Sequence, residues 1–266
     1  MLLIIEAVLL ILAALGQDHR AAAGAEVKLD MALNSVDDQY ESCTKKMANL
    51  VKTKYLEEEM QSNFAKAWKH AEKNYKKHGD VTNLKNVHLI ALYMYTSSMF
   101  NIYEDFNNAV RNEKKTYQNK KFKWHSLHFL LTDAIQILKK TQNGCYDTYR
   151  GTNVHFNESV LNKEVRFGSF TSSSSSQARA KQFGKKSCFE ITTCEDADLT
   201  KYSKLPHEKE VLIPPYDTFK VTAVKKKADQ PDFWCETVFT LESSGTQSNQ
   251  NCALFKKPNK TKKKKY

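Results

Sequence analysis

The sequence changes in character near Gly144, and this change limits the possible folds more than any other feature. From 37 to 140, helix-forming residues recur with a period near 3.6, as in the apolar stripe from 127 to 138. After Gly144, short β-branched and aromatic segments alternate with turn residues. A helical half followed by a strand half predicts an α+β chain, and the lack of a repeat or a Pro- or Gly-rich linker predicts one domain.

The same patterns predict individual elements in both halves. We expect helices near 40–54, 57–77, 86–100, 105–115 and 127–138. We expect strands at 145–150, 165–170, 187–193, 210–213, 219–226 and 233–242. The serine run at 172–176 would be interpreted as a flexible linker from its composition alone.

The sequence argues against several common kinds of site. The 266 residues include only 8 Gly, none in a G-x-G arrangement, which excludes the dinucleotide fingerprint and the Walker loop. A G-x-S-x-G elbow is absent, so Ser-His-Asp catalysis has no support, and no C-x-x-C pair indicates zinc. His125 and His128 lie one helical turn apart without a recognisable third ligand, which favours packing or hydrogen bonding over a metal site.

The start of the chain has the pattern of a secretory signal peptide. An apolar run over 2–15, broken only by Glu6, is followed by a polar turn and small residues. This run is shorter than the roughly 20 residues of a membrane-spanning helix. We therefore expect a signal peptide at 1–23, export, and six cysteines paired in three disulfides.

The other end of the chain is a basic tail at 256–266. Its seven lysines supply +7 of the formal net charge of +11, which leaves +4 for everything before it. Such a tail could bind nucleic acid, heparin-like polyanions or anionic lipid, or it could be a solvated, disordered end. No apolar segment follows the last cysteine, so we expect no stable membrane anchor and a secreted, extracellular protein.

Three short polar stretches in the strand half are not explained by packing, at 149–151, 170–174 and 208–210. In an extended backbone, Glu208 and Glu210 would project to the same side, and their like charges would raise each other's pKa. Such a pair can stabilise a sugar cation and handle a proton, although an E-x-E at a strand edge is more often a solvated rim. Arg150, followed by a glycine, could reach a phosphate or carboxylate, or form a structural salt bridge.

Together and in this order, the three stretches resemble the signature of the vertebrate arginine-specific ecto-ADP-ribosyltransferases. The arginine strand matches at Tyr149-Arg150-Gly151, and the residues at 167–174 are similar to F-G-x-F-x-S-x-S. The residues at 208–216 are similar to E-x-E-V-L-I-P-P-[YF]. The resemblance extends over about 37–252. It implies a helical N-terminal half packed on a mixed or antiparallel two-sheet β core, forming a single catalytic domain.

The resemblance implies catalytic roles for four residues. Glu210 would bond the nicotinamide ribose and stabilise the transition state, and Glu208 would orient and help deprotonate an acceptor guanidinium. Arg150 would contact the NAD phosphates, and Ser172 would hold Glu210 in place. Ser173 stands where the family often has Thr, which keeps the hydroxyl.

Further residues correspond to positions of the family's NAD pocket. The set expected to bind NAD comprises Tyr95, Arg150, Ser169, Phe183 and Ser203, and no metal is implied. The family also implies the disulfides Cys43–Cys252 and Cys145–Cys194, which leaves Cys188 to pair with Cys235. Asn157 and Asn259 begin N-x-[ST] sequons, which export would make available for glycosylation.

The function implied by the resemblance is mono-ADP-ribosyl transfer from NAD to arginine, with release of nicotinamide and with NADP as an alternative donor. The acceptors would be arginine-bearing proteins or small guanidino compounds, and we expect a monomer. One alternative is an NAD glycohydrolase with water as the main acceptor, against which Glu208 argues. The other is an inactive secreted protein of the same fold that binds polyanions through its tail.

Overall fold

A computed structural model of the protein describes residues 26–75, 83–97 and 99–255. The predicted signal peptide and the basic tail, together with the sequon at Asn259, lie outside the described residues. Among the helices of the described ranges, none is both long enough and apolar enough to cross a membrane.

Helices dominate the part of the chain before Gly144, as predicted. They are α1 Thr44–Leu50, α2 Leu56–Glu59, α3 Phe64–Asn74, α4 Asn86–Tyr95, α5 Ile102–Asn112, α6 Lys114–Gln118 and α7 His125–Lys139, with a later short α8 Gln177–Ala180. A π-helical turn, Val51–Tyr55, connects α1 to α2. The first helix begins at Thr44 instead of residue 40 because Tyr40 and Ser42 have φ of 57° and 70°, which an α-helix does not accept.

Helix α7 lies at the centre of the helical layer. Its predicted apolar stripe is buried throughout, at Leu127, Leu130, Leu131, Ala134, Ile135 and Leu138. His128 accepts a 2.8 Å hydrogen bond from the Tyr40 hydroxyl and donates one from Nε2 to the carbonyl of Val36. His125 stacks on the ring of Tyr55 with 4.1 Å between centroids. His128 therefore forms hydrogen bonds in the core and His125 packs there, as the sequence suggested.

Eight strands follow and form one mixed sheet. They are β1 Tyr146–Gly151, β2 Glu164–Val165, β3 Thr171–Ser174, β4 Ser187–Thr193, β5 Ala197–Asp198, β6 Glu210–Ile213, β7 Asp217–Lys226 and β8 Thr237–Thr246. Their spatial order is β2-β7-β8-β4-β1-β3-β6-β5, and β4 with β8 is the parallel pair. The α+β class, with a helical N-terminal half, is confirmed.

The expected division into two sheets takes the form of a narrow joint within a continuous sheet. Strand β1 pairs with β4 along its whole length but with β3 through the single pair Tyr149 and Ser174. The sheet thus has a five-stranded part, β2-β7-β8-β4-β1, and a three-stranded part, β3-β6-β5. Phe189 of the five-stranded part and Ile213 of β6 share one apolar cluster, whereas Leu212 of β6 packs in the larger cluster of the helices.

Ser172, Ser173 and Ser174 of the serine run lie in a buried strand, so the interpretation of the run as a linker from its composition is wrong for these three residues. All four residues of β3 are buried, and they pair in antiparallel register with β6. Each serine hydroxyl has an acceptor: Ser172 reaches Glu210, Ser173 the carbonyl of Val211, and Ser174 the carbonyl of Glu208. Small hydroxyl side chains can be buried in this way because each one is satisfied by a hydrogen bond.

The predicted strand at 165–170 is mostly not realised. Only Glu164–Val165 pairs with β7, because the chain leaves the sheet at Arg166. The buried Arg166 guanidinium forms a 2.6 Å ion pair with Asp37 and donates to the carbonyl of Met31. Hydrogen bonds to the N-terminal segment therefore replace strand pairing at Arg166, and the next strand, β3, begins at Thr171 in the other part of the sheet.

Three disulfides are present, with the pairing that the resemblance implied. Cys43–Cys252 joins the start of the helical half to the last described turn, 209 residues away in sequence. Cys145–Cys194 connects the residues at the outer ends of β1 and β4, and Cys188–Cys235 connects β4 to the segment before β8. The third pair, reached only by elimination, is therefore confirmed.

Candidate active site

A small cleft opens at the joint between β1 and β3, where the two parts of the sheet separate. Its space, including the part open to solvent, is about 260 Å³. The cleft is lined by residues of all three sequence stretches and by one aromatic: Tyr149, Arg150, Gly151, Ser172, Ser173, Ser174, Phe183, Glu208 and Glu210. The sheet thus brings together residues that are up to 61 positions apart in the sequence.

Arg150 forms one wall of the cleft from the end of β1. Its side chain is buried, and Nη1 donates a 2.6 Å hydrogen bond to the carbonyl of Ser172. This bond crosses the joint where only one residue pair connects the two strands. Arg150 therefore holds the joint together and also places a positive charge beside Glu210.

Glu210 is the most enclosed acid of the cleft and begins β6. Its Oε1 accepts a 2.6 Å hydrogen bond from Ser172 Oγ, and Ser203 also donates a side-chain hydrogen bond to it. Burial raises the pKa of Glu210 to about 7, whereas these two hydrogen bonds and the charge of Arg150 oppose the rise. The carboxyl group is therefore able to exist in either form near neutral pH.

Glu208 reaches the cleft by a different backbone path from the one predicted. It ends the 3₁₀ turn Pro206–Glu208, and Lys209 has φ of 50°, so the backbone between the two acids is not extended. Both carboxyl groups nevertheless line the cleft. Burial and then repulsion by Glu210 raise the pKa of Glu208 to about 8, and the charge of Arg179 opposes this rise.

Phe183 lines the opposite wall, in the turn after α8. The backbone of this turn packs directly on β1, where a Cβ on Gly151 would lie 2.4 Å from the carbonyl oxygen of Ala180 and 2.5 Å from that of Gly184. Only glycine permits such a close approach. The glycine after Arg150 is therefore needed for the wall that carries Phe183.

Two of the residues expected in the NAD pocket lie behind the cleft. Tyr95 is buried in the helical core, and its hydroxyl donates a 3.1 Å hydrogen bond to the carbonyl of Phe170. Ser169 accepts a 2.5 Å hydrogen bond from Arg111 Nη2. Both support the segment that leads into β3, and neither is among the lining residues.

Sequence reasoning missed Arg179, the cation beside Glu208. It lies in α8, just after the serine strand, in a segment without a recognised motif. The one available signal is that the residues at 175–186 contain basic side chains and no acid. Electrostatic attraction from Arg179 favours the ionised form of Glu208.

Comparisons with known proteins agree with this geometry. Residues 29–239 match the family model described as ART, NAD:arginine ADP-ribosyltransferase. The chain is 35% identical to Ecto-ADP-ribosyltransferase 4 of Homo sapiens, over 91% of this chain and 79% of the relative. It is also 35% identical to NAD(P)(+)–arginine ADP-ribosyltransferase 2 of Gallus gallus, over 86% and 74%.

A solved structure gives the same result. A mutant of the eukaryotic mono-ADP-ribosyltransferase ART2.2, crystallised in complex with NADH, superposes with a TM-score of 0.68 at 32% sequence identity. The match covers 86% of this chain and 100% of that one. The chain therefore belongs to the NAD:arginine ADP-ribosyltransferase family.

Proposed function

We propose that this protein transfers a single ADP-ribose from NAD to arginine side chains of proteins and releases nicotinamide. The observation that carries the proposal is the buried carboxyl group of Glu210, bonded to Ser172 and sharing a cleft with Arg150 and Glu208. The names of relatives support the substrate, because the chicken enzyme is named for NAD(P) and arginine, and ART2.2 was crystallised with NADH. NAD is the donor, and NADP is proposed as a second donor.

Glu210 is proposed to stabilise the ribose cation. When the bond between ribose and nicotinamide breaks, its electron pair leaves with nicotinamide and positive charge develops on the ribose. A fixed, ionised carboxylate lowers the energy of that state most effectively in a site from which water is excluded. Ser172 and Ser203 are proposed to keep the Glu210 carboxylate oriented and to favour its ionised form.

Glu208 is proposed to prepare the acceptor. A guanidine nitrogen forms the new bond to the ribose, and the proton that it loses passes to the Glu208 carboxylate. Binding of a cationic guanidinium beside this carboxyl group lowers its raised pKa and so produces the ionised form that can take the proton. Glu208 thereby favours arginine over water as the acceptor.

The donor is proposed to bind between two walls of the cleft. Arg150 would contact the diphosphate, for which a guanidinium is well suited, and Phe183 would pack on the nicotinamide ring. Tyr95 and Ser169 are proposed to act indirectly, by supporting the backbone that enters β3. Ser203 is proposed to donate a hydrogen bond to the Glu210 carboxyl group and not to contact NAD directly.

We further propose that the protein works outside the cell as a monomer with one catalytic domain at 37–252. Three disulfides support an oxidising compartment, and relatives are named ecto or GPI-linked. Export would use the predicted signal peptide and yield a secreted protein. Asn157 is proposed to be glycosylated, since its side chain is partly exposed and lies in a turn closed by Ser159 N–H.

The basic tail is proposed to localise the enzyme on polyanions. Deletion from Lys256 onward is expected to leave transfer to a soluble acceptor unchanged and to abolish heparin binding. Loss of transfer would contradict this role. Distribution of the expressed protein between culture medium and membranes separates a secreted protein from a tethered one.

The decisive experiment measures nicotinamide release by the oxidised protein, with and without agmatine, together with modification of agmatine. We expect Glu210→Gln to abolish both activities and Glu208→Gln to retain only hydrolysis of NAD. Glu57→Gln, an exposed acid of the helical half, is the control. Wild-type release of nicotinamide without modified agmatine would favour a glycohydrolase, and no release under any condition would leave only polyanion binding.

A further inference from the structure

Two segments that contain or adjoin lining residues of the cleft carry seven Lys and Arg residues. The first segment, 175–186, follows Ser174 and contains Phe183; the second, 199–209, contains Ser203 and ends beside Glu208. A hydrogen bond from Ser175 N–H to the carbonyl of Lys209 joins the two segments. Lys185 and Lys186 lead directly into β4, and we call the other five the basic collar: Arg179, Lys181, Lys201, Lys204 and Lys209.

The collar cations are available to a partner. All five are exposed or half-buried, and within the described ranges none of them forms an ion pair within 4.0 Å. The single acid of the two segments is Glu208, which is buried. The two segments carry seven Lys and Arg and one acid, a net charge of +6 against +4 for the whole chain before the tail, so positive charge is concentrated beside the cleft.

The positive charge of the collar is unfavourable for binding an acceptor that is itself positively charged. An arginine that enters the cleft brings a further positive charge, and the collar repels it. The diphosphate of one NAD neutralises only part of the collar, and surface charges act over about 8 Å at physiological salt. An acceptor that carries carboxylates beside its arginine would pair with the collar while the guanidinium reaches Glu208.

We propose that the basic collar selects acceptor arginines that are flanked by acidic residues, an inference that rests on the proposed transferase function. The substrate class is therefore a protein with an arginine in an acidic surface segment. Free guanidino compounds lack these carboxylates and are poorer acceptors.

The test uses three peptides that carry one arginine between pairs of Glu, Gln or Lys, with NAD saturating. We expect kcat/KM for the Glu peptide to exceed that for the Gln peptide by about five-fold or more at about 50 mM salt, and the Lys peptide to be poorest. The preference should shrink at about 300 mM salt, where the charges are screened.

Two matched triple variants locate the effect. Lys181→Gln with Lys201→Gln and Lys204→Gln should lose most of the preference for the Glu peptide. The control neutralises three exposed lysines of the helical half, Lys45, Lys46 and Lys69, and should retain it.

Several results would overturn the inference. Equal rates for the three peptides, or a preserved preference in the collar variant, would remove the selecting role. The collar variant could instead lose activity on all peptides alike and show a higher KM for NAD in the hydrolysis assay. That result would mean that the collar binds the donor NAD and does not select the acceptor. Wild type that releases no nicotinamide and modifies no peptide would instead reject the transferase function itself.

Discussion

Ser172 Oγ lies 2.6 Å from Glu210 Oε1, although the two residues are not opposite each other in the ladder. Glu210 is opposite Ser174, and Ser172 is opposite Leu212, so the bond runs diagonally across β3 and β6. A slip of one residue in this pairing would turn one of the two side chains to the other face of the sheet. The bond therefore depends on the register, and it holds the buried carboxyl group in one orientation.

Ser172→Ala is expected to lower kcat for nicotinamide release about ten-fold, the usual effect of losing a hydrogen bond to a charged group. The same change should raise the pKa of Glu210, because one group that favours ionisation is removed. Steady-state kinetics across pH measures both effects. Ser173→Ala is the matched control, since its hydroxyl donates to the carbonyl of Val211. Equal losses in the two variants would contradict a specific role of Ser172.

Nicotinamide release should increase as pH rises through about 7. Glu210 must be ionised to stabilise the ribose cation, and its pKa is raised to about 7 by burial. Transfer to agmatine should show a further increase toward the raised pKa of Glu208, about 8. Profiles of kcat/KM for NAD and for agmatine check this. Glu208→Gln should retain the increase in nicotinamide release near pH 7 and lose the later increase in transfer. A profile of nicotinamide release that is flat between about pH 6 and pH 8 would exclude Glu210 as the titrating group.

Gly151→Ala should destabilise the protein by about 1–3 kcal/mol, the usual cost of an overpacked contact. The new Cβ would collide with the carbonyl oxygens of Ala180 and Gly184, so the turn that carries Phe183 must move. Urea unfolding and KM for NAD measure the two consequences. In Gly144→Ala the new Cβ meets nothing within 4 Å, and only the strain at φ +96° remains. That control should leave KM unchanged, and a normal KM in Gly151→Ala would contradict the proposed wall.

Glu59→Gln should stabilise the protein at about pH 8 by roughly 1–3 kcal/mol, and far less near pH 5. The buried carboxyl group accepts a hydrogen bond from Ser126 N–H, and burial raises the pKa of Glu59 to about 8 from its ordinary 4.5. The pKa of Glu59 is higher in the folded state than in the unfolded state. The stability that this carboxyl group contributes is therefore complete below pH 4.5 and is lost as pH rises through 8. Denaturation at both pH values, with Glu58→Gln as the exposed control, measures this; a pH-independent difference would contradict it.

Removal of Cys188–Cys235 by double alanine substitution should cost about 2–4 kcal/mol of stability and also raise KM for NAD. Both sulfur atoms lie within 3.9 Å of the carbonyl oxygen of Gly184, next to Phe183. Removal of Cys145–Cys194 should cost a similar stability without the change in KM. Thermal unfolding and donor kinetics of the two double variants distinguish the effects, and an unchanged KM in the first would separate this disulfide from the cleft.

Much of the site could be predicted because its residues lie in compact motifs. Arg150, Ser172, Glu208 and Glu210 were identified from three short stretches and their order, and all four line one cleft. Tyr95 was assigned to the pocket from a weaker match; its ring is buried, and its hydroxyl donates to the carbonyl of Phe170, just before β3. A single aromatic on a helix carries no sequence signal that separates support of a strand from contact with a ligand.

The sequence by itself determined the α+β order, the helical stripe on α7, the disulfide count and the residues of the three motifs, because periodicity and local spacing are encoded over short distances. The tertiary structure decided that Ser172, Ser173 and Ser174 lie in a buried strand, since their hydroxyls find acceptors on β6 and at Glu208 just before it. It also decided the left-handed turn at Lys209 and the approach of Arg179 to Glu208. These features depend on contacts between segments that are distant in sequence, which no local pattern records.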